Sequence, residues 1–320
     1  MQTTIDRRRF LRACGGATLL AMSALTRASP KSTATSSVAA AGTIAIGPGL
    51  QVNRLGFGAM RITGPQEWGP PADAAAMKAV LRRALDLGTN FIDTADAYGP
   101  KVSEELIAAA LHPYPAGLVI ATKGGIVRPS APEWVADCRP AHLRAACEGS
   151  LKRLRLERIG LYYLHTVDPE VPLVDSLGEL VRLQAEGKIQ HIGVSNVTVA
   201  ELRQARAVAT IASVQNSYSA ANRRSEDVLI ACEQAGIAFV AHTPLARRAL
   251  TPERRNAQVD ALERIAGARG VSMAQAALAW LLTRSPVVLP IPGTSSLRHL
   301  EENASSAALR LSADEMKQVG

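Results

Sequence analysis

Eight short apolar segments recur between residues 56 and 291, and a longer amphipathic stretch follows each of them. This alternation limits the possible folds more than any other feature of the sequence. Short, continuously apolar segments are typical of strands buried on both faces, and the stretches between them repeat their apolar residues at the helical period. Alternating strands and helices indicate βαβ units and a parallel sheet. We predict strands at residues 56–60, 90–95, 118–123, 159–165, 191–196, 213–218, 238–243 and 287–291.

Eight such units indicate a closed α/β fold, a (β/α)8 TIM barrel over residues 43–320, in which a hairpin at residues 43–46 and 51–55 closes the bottom. The rival is a doubly wound open sheet, which would carry a Gly-x-Gly-x-x-Gly turn after its first strand. Gly56 and Gly58 supply only two of those glycines, so the barrel is favoured. We predict helices at residues 74–87, 103–111, 141–154, 174–186, 199–208, 225–234, 257–268, 272–282 and 297–304.

The first 28 residues differ in composition from the rest of the chain. A cluster of arginines at residues 7–12 precedes a short apolar run at residues 13–25. That run is shorter than the roughly 20 apolar residues of a transmembrane helix, so we expect no stable membrane anchor. The order of basic, apolar and small residues is that of an export signal, and the arginines resemble a twin-arginine signal. We predict a signal peptide at residues 1–28, a flexible linker at residues 29–42 and a periplasmic location. The alternative is a basic, disordered start on a cytoplasmic protein.

Charge and cysteine content exclude several classes of function. The formal net charge is +8, and the first 28 residues contribute about half of it, with five arginines against one aspartate. The remaining chain is only mildly basic and has no basic patch interleaved with aromatic residues, so a nucleic-acid partner is not expected. The four cysteines match neither a metal-binding spacing nor a disulfide framework, and we expect no metal site.

Polar side chains stand where three successive predicted strands end. Asp93, Lys123 and His165 occupy these ends, and Tyr98 follows Asp93 by one short turn. Each residue alone has a structural explanation: a loop cap, a solvated strand end, a buried histidine or a loop anchor. Because catalytic residues of a (β/α)8 barrel come from the carboxyl ends of several strands, the four together predict one catalytic site.

The motifs that carry these residues resemble those of the aldo-keto reductase superfamily. Residues 91–99 (Phe-Ile-Asp-Thr-Ala-Asp-Ala-Tyr-Gly) resemble its first signature, and Ala-Thr-Lys at residues 121–123 resembles its lysine strand. Leu-His at residues 164–165 and Gly-Val-Ser-Asn at residues 193–196 complete four ordered motifs in a resemblance spanning roughly residues 43–317. It implies a small-molecule carbonyl substrate, an aldehyde or ketone, that is reduced by hydride from a nicotinamide cofactor.

The resemblance also implies a role for each of the four residues. Tyr98 donates a proton to the carbonyl oxygen, and His165 orients that oxygen. Lys123 lowers the pKa of Tyr98, which is near 10 for a free tyrosine, and Asp93 holds Lys123 charged and in place.

A cofactor site follows from the same resemblance, with NADPH favoured and NADH possible. Ser195, Asn196 and Gln215 are expected to bind the carboxamide, and His242 stands where the family usually places an aromatic residue that stacks on the nicotinamide. Leu245 and Arg247 lie in the loop that covers the pyrophosphate. The loop and helix start that would bind the adenosine phosphate contain hydroxyls and exposed N–H groups suited to anions. Their candidate residues are Gly293, Thr294, Ser295, Ser296, Arg298, Glu302 and Asn303.

Two other functions compete with the reductase. One is a cofactor-binding regulatory or sensor protein on the same fold, and an intact set of four site residues argues against it. The other is an unrelated barrel hydrolase or isomerase, which would need a metal cluster or paired carboxylates at the strand ends. The sequence identifies neither the substrate nor the oligomeric state, but Trp68 and Trp134 lie in predicted loops at the carboxyl face and are candidates for lining the substrate pocket.

Overall fold

The computed structural model describes residues 37–245 and 256–320. Its strands are β1 (Thr43–Ala45), β2 (Gln51–Asn53), β3 (Phe57–Gly58), β4 (Phe91–Asp93), β5 (Val119–Gly124), β6 (Ile126–Val127), β7 (Val135–Ala136), β8 (Ile159–Leu164), β9 (Ile189–Ser195), β10 (Ile211–Ser217), β11 (Ala238–His242) and β12 (Val288–Pro290). Its α-helices are α1 (Ala74–Asp86), α2 (Val102–Leu111), α3 (Pro140–Leu154), α4 (Leu173–Ala185), α5 (Val199–Val208), α6 (Glu226–Ala235), α7 (Ala257–Arg269), α8 (Met273–Arg284), α9 (Leu297–Ser305) and α10 (Ala313–Val319).

Eight of these strands form one parallel sheet in the order β12-β11-β10-β9-β8-β5-β4-β3. The sheet curls until its two edges meet. There the Gly56 amide donates to the Pro290 carbonyl at 3.0 Å and the Gly58 amide donates to the Pro292 carbonyl at 3.4 Å. A Cβ on Gly58 would lie 2.7 Å from the Ile291 carbonyl oxygen, so glycine permits this close approach. The predicted α/β fold with eight parallel strands is confirmed.

The apolar strand residues divide between two buried clusters. One lies inside the sheet and includes Phe91, Leu161 and Leu289, and the other lies between the sheet and the surrounding helices. Strands β1 and β2 pair antiparallel, and the hairpin they form contributes Ile44 and Val52 to the inner cluster. That this hairpin closes the bottom of the barrel stays a prediction.

Helix α1 illustrates how local sequence fixes the outer layer. The Asp73 side chain accepts a hydrogen bond from the Ala76 amide at 2.8 Å, which caps the helix start. The chain leaves the helix through Gly88, whose φ of +87° suits glycine. Between these ends, Val80 and Leu81 turn one apolar face toward the sheet and are buried.

Two predictions near the chain start have different outcomes. The predicted signal peptide at residues 1–28 lies outside the described residues. The predicted flexible linker at residues 29–42 is wrong at its carboxyl end, where Val38–Ala41 form a 3-10 helix. Val38 is buried there, and its amide donates to the Leu87 carbonyl at 2.9 Å. Small residues resemble a linker in sequence, but here they pack closely beside the end of α1.

A small antiparallel pair, β6 with β7, was not predicted and follows the carboxyl end of β5. Within residues 37–245 and 256–320, no single helix is both long and apolar enough to cross a membrane, although α7 and α8, bent by 107°, pass that test as a pair.

Candidate active site

The carboxyl ends of β4 and β5 bring three of the predicted catalytic residues into contact. The Lys123 ammonium donates to Asp93 Oδ1 at 2.5 Å, to the Thr94 carbonyl at 2.8 Å and to the Tyr98 hydroxyl at 3.3 Å. Lys123 is fully buried, so its charge depends on these partners. Three hydrogen bonds use all three N–H donors of the ammonium group, which fixes it beside the tyrosine.

The pKa directions at this cluster follow from burial and close charges. Burial is the largest single effect and lowers the pKa of Lys123, but Asp93 and Tyr98 together more than offset it, so that pKa lies above its ordinary value. For Tyr98, burial raises the pKa and Lys123 lowers it, and burial dominates. Lys123 thus acts on the Tyr98 pKa in the predicted direction, but the loss of hydration outweighs it, so the net pKa lies above 10. Tyr98 is thus protonated at neutral pH.

His165, at the end of β8, lies beside the tyrosine. The two rings are 5.9 Å apart and meet edge to face at 80°. Burial, together with the Lys123 charge, holds the pKa of His165 well below 6.5, so the imidazole is neutral at pH 7. Its Nδ1 atom is buried and has no hydrogen-bond partner among the described residues. A neutral imidazole next to a protonated tyrosine is suited to hydrogen-bond a carbonyl oxygen.

The ends of β9 and β10 place the predicted carboxamide ligands against this cluster. Asn196 has a left-handed backbone, with φ of +58°, and its side-chain amide donates to the His165 carbonyl at 3.0 Å and to Ser195 Oγ at 3.1 Å. The Gln215 amide donates to Asp93 Oδ2 at 2.7 Å. Gln215 therefore contacts the Lys123–Asp93 pair directly, a link that the sequence did not predict.

His242, at the end of β11, lies at the edge of the same group. Its Nε2 is 3.2 Å from Asn196 Oδ1, and its Nδ1 is 3.0 Å from Thr243 Oγ1. Burial, aided by the Lys123 charge, lowers the pKa of His242 to about 4. The ring is therefore uncharged at neutral pH and presents a flat, neutral face.

These side chains surround an open cleft of about 1010 Å³, a volume that includes space continuous with solvent. Trp134 lines it, whereas Trp68 is not among the lining side chains, so a substrate role for Trp68 stays a prediction. Met60 and Arg61 also line the cleft and were missed, although their position just after β3 was an available signal. The lining residues are Gly58, Met60, Arg61, Asp93, Tyr98, Trp134, His165, Ser195, Asn196, Gln215, His242, Thr243, Pro244, Leu245, Ile291, Pro292 and Gly293.

A second cavity of about 790 Å³ shares Pro244 and Leu245 with the cleft and extends to α9. Arg298, Glu302 and Asn303 line it, together with His299.

The start of α9 contains three of the predicted phosphate-site residues. Ser296 Oγ caps the helix by accepting from the His299 amide, and Thr294 Oγ1 accepts from the Ser296 amide at 3.1 Å. Ser295 is exposed beside them. Arg247, predicted to lie near the pyrophosphate, falls outside the described residues.

The arrangement can bind an extended ligand with one end in the polar cleft and the other beside α9. No group of three or more histidine, cysteine, aspartate or glutamate side chains suited to a metal ion occurs in residues 37–245 and 256–320. The chemical capacity of the site thus rests on a buried lysine–carboxylate pair, a protonated tyrosine and a neutral histidine.

Comparisons with known proteins agree with this geometry. Residues 54–320 match the model of the Aldo/keto reductase family. An uncharacterized oxidoreductase of Schizosaccharomyces pombe is 46% identical over 286 residues, covering 89% of this chain and 91% of the relative. The pyridoxine 4-dehydrogenase of Escherichia coli is 41% identical, covering 82% of this chain and 92% of the relative. The crystal structure of an aldo-keto reductase from Klebsiella pneumoniae in complex with NADPH is 31% identical, with a TM-score of 0.73, covering 87% of this chain and 93% of that one. The chain therefore belongs to the aldo/keto reductase family.

Proposed function

We propose that this protein reduces an aldehyde or ketone to an alcohol with NADPH, and that Tyr98 is the proton donor. The observation that carries the proposal is the hydrogen-bonded group of Asp93, Lys123 and Tyr98, which lies beside His165 at the wall of the cleft. The family supports the reaction class, because the Schizosaccharomyces pombe relative is an oxidoreductase and the Escherichia coli relative is a dehydrogenase.

The cofactor would lie across the cleft and the second cavity. Ser195, Asn196 and Gln215 would bind the carboxamide, and His242 would stack against the nicotinamide ring. The start of α9, where Thr294 and Ser296 shape the turn and the exposed Ser295 presents its hydroxyl, would bind the adenosine phosphate. The NADPH complex of the Klebsiella pneumoniae relative supports this cofactor, and NADH remains the alternative to be compared in the same assay.

When bound, NADPH supplies the hydride that reduces the carbonyl carbon. As negative charge develops on the carbonyl oxygen, the Tyr98 hydroxyl transfers its proton to it, and that oxygen becomes the hydroxyl of the alcohol product. Lys123 stabilises the resulting tyrosinate until solvent returns the proton, and Asp93 keeps Lys123 charged. His165, being neutral, donates a hydrogen bond that orients the carbonyl.

The substrate class can be tested first with a compound suggested by a relative. The pyridoxine 4-dehydrogenase relative acts on a planar aromatic alcohol, so pyridoxal, the corresponding aldehyde, is a suitable first substrate in the reductive direction. The experiment is NADPH oxidation with pyridoxal and a panel of aromatic and aliphatic aldehydes. Consumption of cofactor that depends on the aldehyde supports the proposal. Tight cofactor binding without turnover of any reactive aldehyde would instead favour a regulatory or sensor protein.

We also propose export through the twin-arginine route, which carries folded proteins and would allow the cofactor to be acquired before export. The support is the order of basic, apolar and small residues in residues 1–28. Replacing Arg7, Arg8 and Arg9 by lysine should retain the protein in the cytoplasm, as measured by cell fractionation. A wild-type protein found in the cytoplasmic fraction would favour the cytoplasmic alternative, and a variant exported like the wild type would argue against the twin-arginine route.

A further inference from the structure

A single arginine, Arg128, connects three loops around the candidate site. Its guanidinium donates to the carbonyls of Gln66 (3.2 Å) and Glu67 (3.3 Å) in one loop and of Ala97, at 3.5 Å, next to Tyr98. In its own loop it donates to the carbonyls of Ala131 and Glu133, the latter at 2.7 Å. Arg128 is 8% exposed, so these carbonyls take the place of water around a buried cation.

The guanidinium also contacts two tryptophan rings. Its carbon lies 3.7 Å from the centroid of Trp134 and 5.6 Å from that of Trp68. Both distances are within the range of cation–π attraction, which a largely desolvated site strengthens. Trp134 is the ring that lines the cleft, and Arg128 therefore supports one of its faces.

One of the loops that Arg128 holds is conformationally strained. Gln66 and Glu67 are consecutive non-glycine residues with φ of +59° and +56°. Such residues persist in the left-handed region only where the surroundings determine their conformation. Their two carbonyls are the ones that Arg128 binds, and the Glu67 carbonyl also accepts from the Gly99 amide at 3.0 Å. The strained loop is thus joined to the residue after Tyr98.

Trp134 is placed to meet the reacting part of a ligand. Its ring lies 6.3 Å from the Tyr98 ring and 6.5 Å from the His165 ring, edge to face in both cases. It is nevertheless 40% exposed, so without support from behind it would have several rotamers available. A fixed indole beside the proton donor offers a flat surface on which a planar ligand can stack.

We propose that Arg128 is a positioning and specificity-determining residue, which holds Trp134 as a rigid wall so that the site prefers planar aromatic aldehydes over small aliphatic ones. The proposal rests on the carbonyl reductase function proposed above. Arg128 acts through Trp134 and the loops and does not touch the reacting atoms.

The test compares 4-nitrobenzaldehyde with propanal in the wild type, Arg128→Met, Arg128→Lys and Trp134→Ala. Trp134→Ala and Arg128→Met should each reduce the ratio of kcat/KM for the aromatic over the aliphatic aldehyde by about tenfold, mainly through KM. Arg128→Lys keeps the charge but loses the planar guanidinium, so its ratio should lie between those of the wild type and Arg128→Met. Arg82→Met is the matched control, since exposed Arg82 on α1 also donates to a main-chain carbonyl, that of Ala110, but is not among the residues that line the cleft.

Several results would overturn the proposal. These are an unchanged ratio in both Arg128 variants, an unchanged ratio in Trp134→Ala, or an equal loss of kcat for both aldehydes in Arg128→Met. If Arg128→Met fails to fold by circular dichroism, Arg128→Lys and Trp134→Ala still decide the matter. Calorimetric binding of 4-nitrobenzyl alcohol to the cofactor-loaded protein separates the two proposals. If the wild type reduces no aldehyde but Arg128→Lys or Trp134→Ala binds this alcohol more weakly than the wild type does, the reductase proposal is refuted and the role of Arg128 and Trp134 is supported. Equal binding by the wild type and both variants would refute that role.

Discussion

The ammonium nitrogen of Lys123 lies 3.3 Å from the hydroxyl oxygen of Tyr98, at the end of a hydrogen-bond chain that runs back through Asp93 to Gln215. A buried tyrosine with a raised pKa holds its proton until a stronger base appears, and the lysine then stabilises the anion that remains. Under the proposed function, the carbonyl oxygen would become that base only during reduction, so proton transfer from Tyr98 would be coupled to it.

Replacement of Tyr98 by phenylalanine removes only the hydroxyl. We expect the rate of aldehyde reduction to fall by about 10²–10⁴-fold, while cofactor affinity stays within about twofold of the wild type. Stopped-flow turnover and fluorescence titration with NADPH measure the two quantities. Tyr162→Phe is the matched control, because the Tyr162 hydroxyl is buried and has no hydrogen-bond partner among the described residues. Unchanged turnover in Tyr98→Phe would contradict the assignment of the proton donor.

Replacement of Lys123 by methionine leaves the Asp93 carboxylate buried without its cation. Loss of one member of a buried ion pair costs about 3–5 kcal/mol, so we expect the free energy of unfolding to fall by that amount. The double variant Asp93→Asn/Lys123→Met contains no buried charge at this pair and should recover part of the loss. Urea denaturation measures both. If the double variant loses the sum of the free energies that Lys123→Met and Asp93→Asn each lose alone, the two residues are not coupled.

The lowered pKa of His242 predicts a dependence of stability on pH. The pKa is 6.5 for the unfolded chain and about 4 for the folded protein, so the unfolded chain takes up the proton first as pH falls. This contribution to stability is present above pH 6.5 and is lost as pH falls to about 4, up to ~3 kcal/mol. His242→Gln should therefore lose less stability than the wild type between pH 7 and pH 4.5 in urea titrations. Parallel curves for the two proteins would show that His242 is not held neutral.

Asp96 predicts the opposite dependence. Burial, together with the nearby Glu104 carboxylate, raises the pKa of Asp96 from 3.8 to about 8, and its Oδ1 has no hydrogen-bond partner in the part of the chain that the structure describes. Stability from the protonated carboxyl is complete below pH 3.8 and is lost as pH rises through 8. Asp96→Asn should thus gain about 4 kcal/mol relative to the wild type between pH 5 and pH 9. Thermal denaturation at the two pH values measures this difference, and a constant offset would contradict it.

The sequence predicted the sheet well because burial on both faces leaves a strong pattern. The segment predicted at residues 159–165 and the observed strand Ile159–Leu164 differ by one residue, and helix α5 was predicted without error. The four catalytic candidates were found because strand ends converge in a barrel. Their placement needed only the order of the strands.

Other features depend on contacts that no local pattern records. Arg128 is one arginine in a loop of serine and proline, and nothing near it in sequence reveals that its partners include Gln66 and Ala97. The net rise in the Tyr98 pKa depends on how completely the fold excludes water, which spacing along the chain does not give. Residues Val38–Ala41 resembled a linker because a run of alanines shows no periodic alternation of apolar and polar residues. In the structure they pack beside the end of α1.

The hydrogen bonds that join Gly56 to Pro290 and Gly58 to Pro292 have a consequence for the order of assembly. Gly58 and Arg61 lie at or after the end of the first strand of this seam and Ile291 and Gly293 follow the last, and all four line the cleft, so this part of the cleft wall exists only after the last strand has docked against the first. Under the proposed function, bound cofactor therefore stabilises the closed barrel. It does not stabilise a partly folded chain in which β12 has not yet docked. Cofactor affinity would then report, in a nascent or refolding chain, that the ring of strands is complete.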